Sequence, residues 1–156
     1  MRLDVQVAGN RVTMTGRIDD SATFADLPAR LPTSEIVIDT GGVTFVNSIG
    51  MREWIRLLRG LRETGRRVRL DRVADVLITQ MNLIAEFVGE RAVTISSFHA
   101  QYVCPACGAE SAPLVDAVAN APLLQQMKVP AMPCPECGAQ MELGDFPERY
   151  LTIFKG

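Results

Sequence analysis

The sequence is poor in several residue types, and each shortage excludes a class of function. A single histidine, His99, excludes mechanisms that need two imidazoles, including histidine-rich metal catalysis. No run approaches the roughly 18 apolar residues of a membrane-spanning helix, and the first residues show no signal-peptide pattern. We therefore expect a cytoplasmic protein without membrane insertion. The net charge of −2 gives no general attraction to nucleic acids or anionic membranes.

The remaining composition is that of a globular chain, and it changes near residue 100. Of 156 residues, 47% are hydrophobic and 22% are charged, and this length allows one domain or two small ones. All four cysteines and seven of the nine prolines follow residue 100. This shift predicts two domains, at 1–98 and 99–156.

Apolar periodicity in the first part alternates between that of strands and that of helices. Two alternating runs flank Gly9-Asn10, a dipeptide suited to a two-residue hairpin turn, and Gly41-Gly42 is expected to be another turn. The predicted strands are 3–7, 12–16, 36–38, 68–70 and 93–95, and the predicted helices are 21–32, 51–61 and 73–88. This order predicts an α/β fold, a mixed β-sheet with helices packed on it.

The stretch from Ile36 to Gly50, IVIDTGGVTFVNSIG, leads directly into an amphipathic helix. It resembles the STAS domain of bacterial anti-sigma-factor antagonists. In that family an apolar strand, a turn and an Asp-Ser-Ser-Gly-Leu-like segment open a helix, and a partner kinase phosphorylates the serine just before the glycine. The resemblance extends over residues 1–98 in element order. It implies a STAS-like fold and a signalling role with a protein partner, such as a kinase, an anti-sigma-like protein or a scaffold component.

The motif departs from the family at its phosphorylated position. Asn47 stands where the family often has Asp, Ser48 matches the first serine, and Ile49 occupies the place of the phosphorylated one. An alkyl side chain cannot accept phosphate, so we do not expect the usual switch. Ser48 is expected to cap the following helix, where a phosphate would face backbone N–H groups and Arg52. Whether or not Ser48 is phosphorylated, we expect residues 47 to 50, ending at Gly50, to form a partner surface.

Eight arginines lie between residues 52 and 72. Arg52, Arg56 and Arg59 share one side of the predicted helix and could meet an acidic partner or a phosphate backbone. A solvated helix face is the favoured explanation, because surface helices have polar outer faces and the chain, with only two lysines, uses Arg as its ordinary base. We include these three arginines in the candidate partner surface. His99 lacks a carboxylate, Ser or Cys at a catalytic spacing and is expected at a surface or junction.

The two segments Cys104-Pro-Ala-Cys107-Gly and Cys134-Pro-Glu-Cys137-Gly carry the strongest motif. Four thiolates form a complete tetrahedral set for one structural Zn²⁺ and leave no open position for catalysis. Thioredoxin-like redox chemistry is the competing interpretation of a C-x-x-C pair. The spacing resembles a zinc ribbon, although the 26 residues between the pairs exceed the usual ~15 to 20. We expect a helical insertion at about 112–128.

These patterns predict a non-enzymatic regulatory or scaffolding protein. It would bind a protein partner through a STAS-like domain and carry a structural zinc ribbon. The alternative is a nucleic-acid-binding zinc-ribbon regulator that uses the arginine-rich helix. We do not expect nucleic-acid binding, because residues 101–156 hold three basic against six acidic residues and a zinc–thiolate centre adds about −2. The identity of the partner, phosphorylation of Ser48 and homo-oligomer formation stay open.

Overall fold

A five-stranded mixed sheet organises the first part of the chain in the computed structural model, which describes residues 2–84 and 93–155. The sheet order is β1-β2-β3-β4-β5, with β1 antiparallel to β2 and all other pairs parallel. The strands are β1 (Asp4–Ala8), β2 (Arg11–Ile18), β3 (Glu35–Val46), β4 (Arg67–Asp71) and β5 (Val93–Ile95). The predicted mixed α/β architecture is confirmed.

Two helices cover one face of this sheet. Helix α1 (Ser48–Glu63) and helix α2 (Asp75–Asn82) share a buried cluster with strand residues that pair across the sheet, such as Val12 with Ile38 and Ile38 with Leu70. Alternate residues of the same strands point to the opposite face. The two helices therefore cover one face only, although Val37 and Asp39 of β3 are also buried on the opposite face.

The opposite face is held by ion pairs between neighbouring strands. Asp39 is buried, accepts a hydrogen bond from Arg11 Nη2 at 3.0 Å and forms an ion pair with Arg72 Nε at 3.1 Å. Arg11 also reaches Asp71 at 3.2 Å, and Asp71 pairs with Arg69. A buried carboxylate needs such partners. The ion pairs therefore allow charged side chains on one face of strands whose other face carries core side chains.

The hairpin prediction is confirmed, and the predicted helix at 21–32 is wrong. Ala8 pairs with Arg11 and leaves Gly9 and Asn10 as the two-residue loop. Between residues 21 and 32 the chain forms turns and one 3-10 turn at Pro28–Arg30. Pro28 and Pro32 each lack the N–H that a helix would donate four residues back, so the α-helical ladder cannot continue through either.

The buried guanidinium of Arg66 binds three backbone carbonyl groups of these turns. Its nitrogens donate to the carbonyls of Pro28 at 2.8 Å, Leu31 at 3.2 Å and Pro32 at 2.8 Å. One charged group thus satisfies three backbone acceptors. Arg66 is therefore a structural residue that joins the start of β4 to this irregular segment.

The pair Gly41-Gly42 lies inside β3, so the predicted turn is wrong. Thr13 pairs with Asp39 but Thr15 pairs with Gly42, which places one extra residue in β3 as a bulge. A side chain at Gly42 would approach Thr15 Cγ2 to 2.5 Å. The glycines permit close strand approach here, and β3 continues to the start of α1.

The third predicted helix, at 73–88, forms only at Asp75–Asn82 among the described residues, because Leu83 and Ile84 are not helical. Helix α1 confirms the prediction at 51–61, and α2 lies within the predicted 73–88 region. Residues Phe87 and Val88, which belong to that prediction, lie outside the described residues. Strands β4 and β5 confirm the predictions at 68–70 and 93–95.

The rest of the chain forms a four-stranded antiparallel sheet, a two-stranded pair and two short helices. The four-stranded order is β10-β11-β7-β8, and β6 pairs with β9. The elements are β6 (Ser97–His99), β7 (Tyr102–Val103), β8 (Glu110–Ser111), β9 (Leu114–Asp116), α3 (Ala121–Gln125), β10 (Met132–Pro133), β11 (Gln140–Leu143) and α4 (Pro147–Leu151). A 3-10 turn follows at Thr152–Phe154.

Only residues 121–125 of the expected helical stretch 112–128 are helical. Strand β9 occupies 114–116, because Val115 is buried opposite Phe98 in the pair with β6. Pro122 lies in the first turn of α3, where a missing N–H costs no helical hydrogen bond. It starts this helix instead of breaking a longer one.

The end of the chain packs against α2. Tyr150 and Leu151 of α4 are buried in the same cluster as the sheet core, and Phe154 stacks on Phe98 at 5.0 Å between ring centroids. The backbone N–H of Ile153 donates to Asn82 Oδ1 at 2.8 Å. Strand β6 spans residues 98 and 99, so the two-domain division at that point stays a prediction. No helix within the described ranges is long and apolar enough to cross a membrane.

Two glycines of α1 give a matched test of this packing. A methyl group at Gly50 would overlap the carbonyl oxygen of Ile18, whereas one at Gly60 would meet nothing within 4 Å. We expect Gly50→Ala to lower the free energy of unfolding by about 3 kcal/mol or more, because backbone must move. Gly60→Ala should raise it by about 0.5 to 1 kcal/mol through helix propensity. Urea unfolding measures both, and equal effects would contradict the close approach of α1 to β2.

Candidate metal centre and partner groove

Each Cys-Pro-x-Cys-Gly segment folds as a tight knuckle. In the first, Gly108 donates its N–H to the carbonyl of Cys104 at 2.9 Å, and Cys104 donates to the carbonyl of Ala109 at 2.8 Å. The second knuckle repeats these bonds at 2.9 and 2.7 Å. Gly108 and Gly138 both have φ of +78°, a conformation that favours glycine. The repeated motif therefore encodes one repeated backbone shape.

The two knuckles bring all four sulfurs together. Cys104 Sγ lies 3.6 Å from Cys137 Sγ, Cys107 Sγ lies 3.6 Å from Cys134 Sγ, and all four lie within 4.8 Å of one another. Sulfurs bound tetrahedrally to zinc at ~2.3 Å stand about 3.8 Å apart, whereas a disulfide needs about 2.05 Å. The cysteines are free thiols arranged to hold a metal ion. The donor set and its spacing fit Zn²⁺.

The protonation of these thiols shows why a cation suits the cluster. The backbone N–H of Cys107 lowers the pKa of Cys104 to about 7. The N–H of Ala109 lowers the pKa of Cys107, but the neighbouring Cys134 sulfur and burial raise it to about 12 overall. One thiolate thus opposes ionisation of the next. A divalent cation offsets these charges and allows all four sulfurs to act as ligands.

The surroundings of the cluster favour a structural role. Cys104 and Cys134 are buried in the main hydrophobic cluster, and Cys107 and Cys137 are exposed. Each knuckle lies between two strands, β7 and β8 or β10 and β11, whereas a thioredoxin-like pair begins a helix. Four thiolates complete a tetrahedral shell, and no position remains for a reacting water.

A groove runs between α1 and the end of α2, with a volume of about 560 Å³. Ser48, Arg52, Arg56 and Arg59, four of the residues singled out from the sequence, line it together. The remaining lining residues are Met51, Ile55, Gln80, Leu83 and Ile84. Sequence reasoning missed the α2 side of the groove. The one signal in the sequence is that Leu83 is apolar but lies outside the apolar face of the predicted helix at 73–88; in the structure it is 72% exposed.

The segment from Asn47 to Gly50 divides into structural and exposed residues. Asn47, not Ser48, caps α1, because its Oδ1 accepts the N–H of Gly50 at 2.8 Å. Gly50 is buried against the end of β2. Ser48 is the first residue of α1, and Ile49 is 46% exposed beside it. Ser48 and Ile49 therefore remain the accessible part of the expected partner surface.

The arginines between residues 52 and 72 do not form one patch. Arg66 is buried on backbone carbonyls, and Arg69 and Arg72 pair with carboxylates on the polar sheet face. Arg56 pairs with Glu53 at 3.0 Å along α1 and keeps 64% of its side chain exposed. The local excess of positive charge is thus split between the groove and structural positions.

The remaining singled-out residue, His99, has a structural environment. It lies half-buried in β6, and its Nδ1 is 2.8 Å from the carbonyl oxygen of Ala112. A ring nitrogen at this distance donates a hydrogen bond to the carbonyl. This contact joins β6 to the segment before β9.

No protein-family model matches this chain, and a search of curated proteins also finds no match. The resemblances to STAS domains and to zinc ribbons therefore stay predictions. The four-cysteine cluster and the groove rest on the geometry of this chain alone.

The metal site makes a direct prediction. Protein purified without added metal should contain about one zinc per chain, measured by plasma mass spectrometry. Cys134→Ser should lose the metal and about 3 kcal/mol or more of unfolding free energy, because a buried ligand is removed. Ser111→Ala is the matched control, since its hydroxyl contacts the Met141 sulfur and none of the cysteines. Metal-free protein, or disulfides in a reduced preparation, would contradict the assignment.

Proposed function

We propose that this chain is a non-enzymatic regulatory or scaffolding protein that binds a protein partner through a STAS-like domain. Its zinc-ribbon-like part would be structural. The groove carries this proposal, because it gathers Ser48 and three arginines of α1 with exposed apolar side chains of α2. Apolar surface rimmed by charged groups is typical of a protein-interaction site.

The lining of the groove supports binding over catalysis. Among the described residues that line it, none is a carboxylate, a cysteine or a histidine. The Ser48 hydroxyl thus has no general base beside it in the groove. Such a surface can hold a partner, but it offers no pair of groups that would move a proton or attack a bond.

The metal site supports the proposal because the segment that follows its second knuckle packs against α2, which lines the groove. Strand β11 follows the second knuckle and leads into α4, which packs on α2. Asn82 of α2 accepts from Ile153, and α2 then supplies Gln80, Leu83 and Ile84 to the groove. A structural metal would therefore hold one side of the binding surface in place.

Nucleic-acid binding remains the second candidate, because three arginines line one groove. Single-stranded nucleic acids are usually held by aromatic side chains as well as by cations. The apolar residues among the described lining are Met51, Ile55, Leu83 and Ile84, and none of them is aromatic. This difference favours a protein partner.

Capture of the native partner tests the proposal. The metal-loaded chain is used as bait in an extract of the producing cells, and retained proteins are identified by mass spectrometry. Arg52→Glu should weaken capture about tenfold by opposing an acidic partner, and Ile49→Asp should weaken it similarly through an unpaired carboxylate in the contact. Arg67→Glu is the matched control, because Arg67 is exposed on β4 and does not line the groove.

The same assay separates constitutive binding from a phosphorylation switch. Ser48→Ala should leave capture within about twofold, because Asn47 caps the helix and Ser48 contributes only a surface hydroxyl. Loss of capture in Ser48→Ala, together with phosphate on Ser48 in protein from growing cells, would show a switch displaced by one residue. Equal capture by every variant would contradict a partner site in the groove.

A further inference from the structure

We infer that the four-cysteine cluster is also an oxidation site, at which hydrogen peroxide joins the two knuckles through two disulfides and releases the metal. The pairs are Cys104 with Cys137 and Cys107 with Cys134. The inference rests on the metal site and needs no partner, so it goes beyond the proposed function. Three features carry it: the exposure of one sulfur in each pair, the contact between sulfurs of different knuckles, and the strand pairing that aligns the knuckles.

One sulfur of each pair is open to a small oxidant. Cys107 and Cys137 are exposed, whereas Cys104 and Cys134 are buried. A bound divalent cation keeps its sulfur ligands deprotonated, and the thiolate is the form of cysteine that acts as a nucleophile. Oxidation of cysteine follows thiolate character and exposure. Peroxide therefore reacts first at Cys107 and Cys137.

Each exposed sulfur has a buried sulfur of the other knuckle beside it. Cys137 Sγ lies 3.6 Å from Cys104 Sγ, and Cys107 Sγ lies 3.6 Å from Cys134 Sγ. A disulfide needs about 2.05 Å, so the two sulfurs of a pair have to approach by roughly 1.5 Å. The buried sulfur is thus close enough to attack its oxidised neighbour before that neighbour is oxidised further.

Strand pairing aligns the two knuckles through bonds that involve no sulfur. Strand β7, which precedes the first knuckle, pairs with β11, which follows the second. The Tyr102 hydroxyl donates to the carbonyl of Pro130 at 2.8 Å, and the N–H of Gly144 donates to the carbonyl of Gln101 at 2.7 Å. The sulfurs of each 3.6 Å pair therefore stay in contact while the oxidation proceeds.

The oxidation balances within each pair. The sulfur of Cys107 attacks one oxygen of H₂O₂, the O–O bond breaks, and a sulfenic acid forms while hydroxide leaves. The sulfur of Cys134 then attacks the oxidised sulfur, so that the S–S bond forms and the S–O bond breaks with loss of a second hydroxide. Two protons from solvent convert both hydroxides to water, and the two electrons lost by the sulfurs reduce the peroxide. Cys137 and Cys104 react in the same way, and the cation dissociates because no thiolate ligand remains.

The oxidised chain keeps the link between the knuckles that the metal supplies in the reduced chain. The second knuckle leads through β11 to α4, which packs on α2. Helix α2 should therefore keep its cover when oxidation removes the metal. It should lose that cover when a chelator removes the metal from reduced protein.

Peptide mapping of the metal-loaded chain tests the pairing. Hydrogen peroxide is added to protein of measured zinc content, a chromogenic chelator reports the zinc released, and remaining thiols are blocked before digestion without reductant. Trypsin cuts after Arg91, Lys128 and Arg149, so the two knuckles lie on separate peptides, 92–128 and 129–149. We expect these peptides to be joined, with two peroxides consumed and four thiols lost for each zinc released. Fragmentation by electron transfer should assign the two pairs.

Amide hydrogen exchange compares the two routes of metal loss. Exchange in α2 of the oxidised chain should stay within about twofold of that in the metal-loaded chain, whereas the chelated, reduced chain should exchange faster. Dithiothreitol followed by zinc should restore the metal content of the oxidised chain, because disulfides are reduced by thiols and sulfinic acids are not.

Several results would overturn the inference. They are separate tryptic peptides with a disulfide inside each knuckle, disulfide-linked dimers, and sulfinic acid without disulfides. Zinc that stays bound while peroxide oxidises the methionines would also overturn it, as would equal exchange of α2 in the oxidised and the chelated chain. None of these measurements involves a partner, so their failure would leave the proposed function standing.

Discussion

The contact between the end of the chain and α2 connects the metal cluster to the rest of the molecule. The amide of Asn82 accepts the N–H of Ile153 at 2.8 Å, and its Nδ2 donates to the carbonyl of Ile78 at 2.8 Å. Both ends of a buried side-chain amide are thus satisfied, and the same amide ties the last turn of α2 to the segment after α4. Without this contact and the Phe98–Phe154 stack, α2 would lose its cover on that side.

The one-sided sheet explains where a binding surface can form. Its polar face is occupied by the network of Asp39, Asp71 and their arginine partners, in which most charges are already neutralised. On the helix face, α1 turns Trp54 and Leu58 toward the core, and its exposed arginines are Arg52, Arg56 and Arg59. The groove therefore lies where outward-facing arginines of α1 meet the exposed end of α2, and no comparable row of cations occurs on the polar face of the described chain.

Local patterns in the sequence predicted the elements that depend on local chemistry. The hairpin at Gly9-Asn10, helix α1 and the two cysteine knuckles each follow from neighbouring residues and formed as expected. The prediction of a helix at 21–32 was wrong. Its apolar spacing is that of a helix, but two prolines and the distant Arg66 determine its turns. Gly41-Gly42 lies in a strand because this part of β3 pairs with Thr15 of the neighbouring strand. The sequence around the two glycines does not include Thr15, so local patterns could not predict the pairing.

The candidate site also combines residues that local patterns predict with residues that only the tertiary structure brings together. The four metal ligands could be predicted because the same motif occurs twice, and the arginine row could be predicted because helical spacing is periodic. Leu83 and Gln80 could not be assigned to the groove, since the packing of α2 beside α1 is a tertiary arrangement. The cap at Asn47 was assigned to Ser48 because both residue types are preferred there and only the helix boundary separates them.

Amide hydrogen exchange with and without the metal is the most direct test of the account that a structural zinc holds one side of a binding groove. After chelation, the account predicts faster exchange in β7, β11 and α2, with protection retained in β2, β3 and α1. The coupling should pass through Asn82, so metal-loaded Asn82→Ala should show faster exchange in α2 alone. Unchanged protection of α2 after metal loss, or uniform loss across the whole chain, would contradict the account.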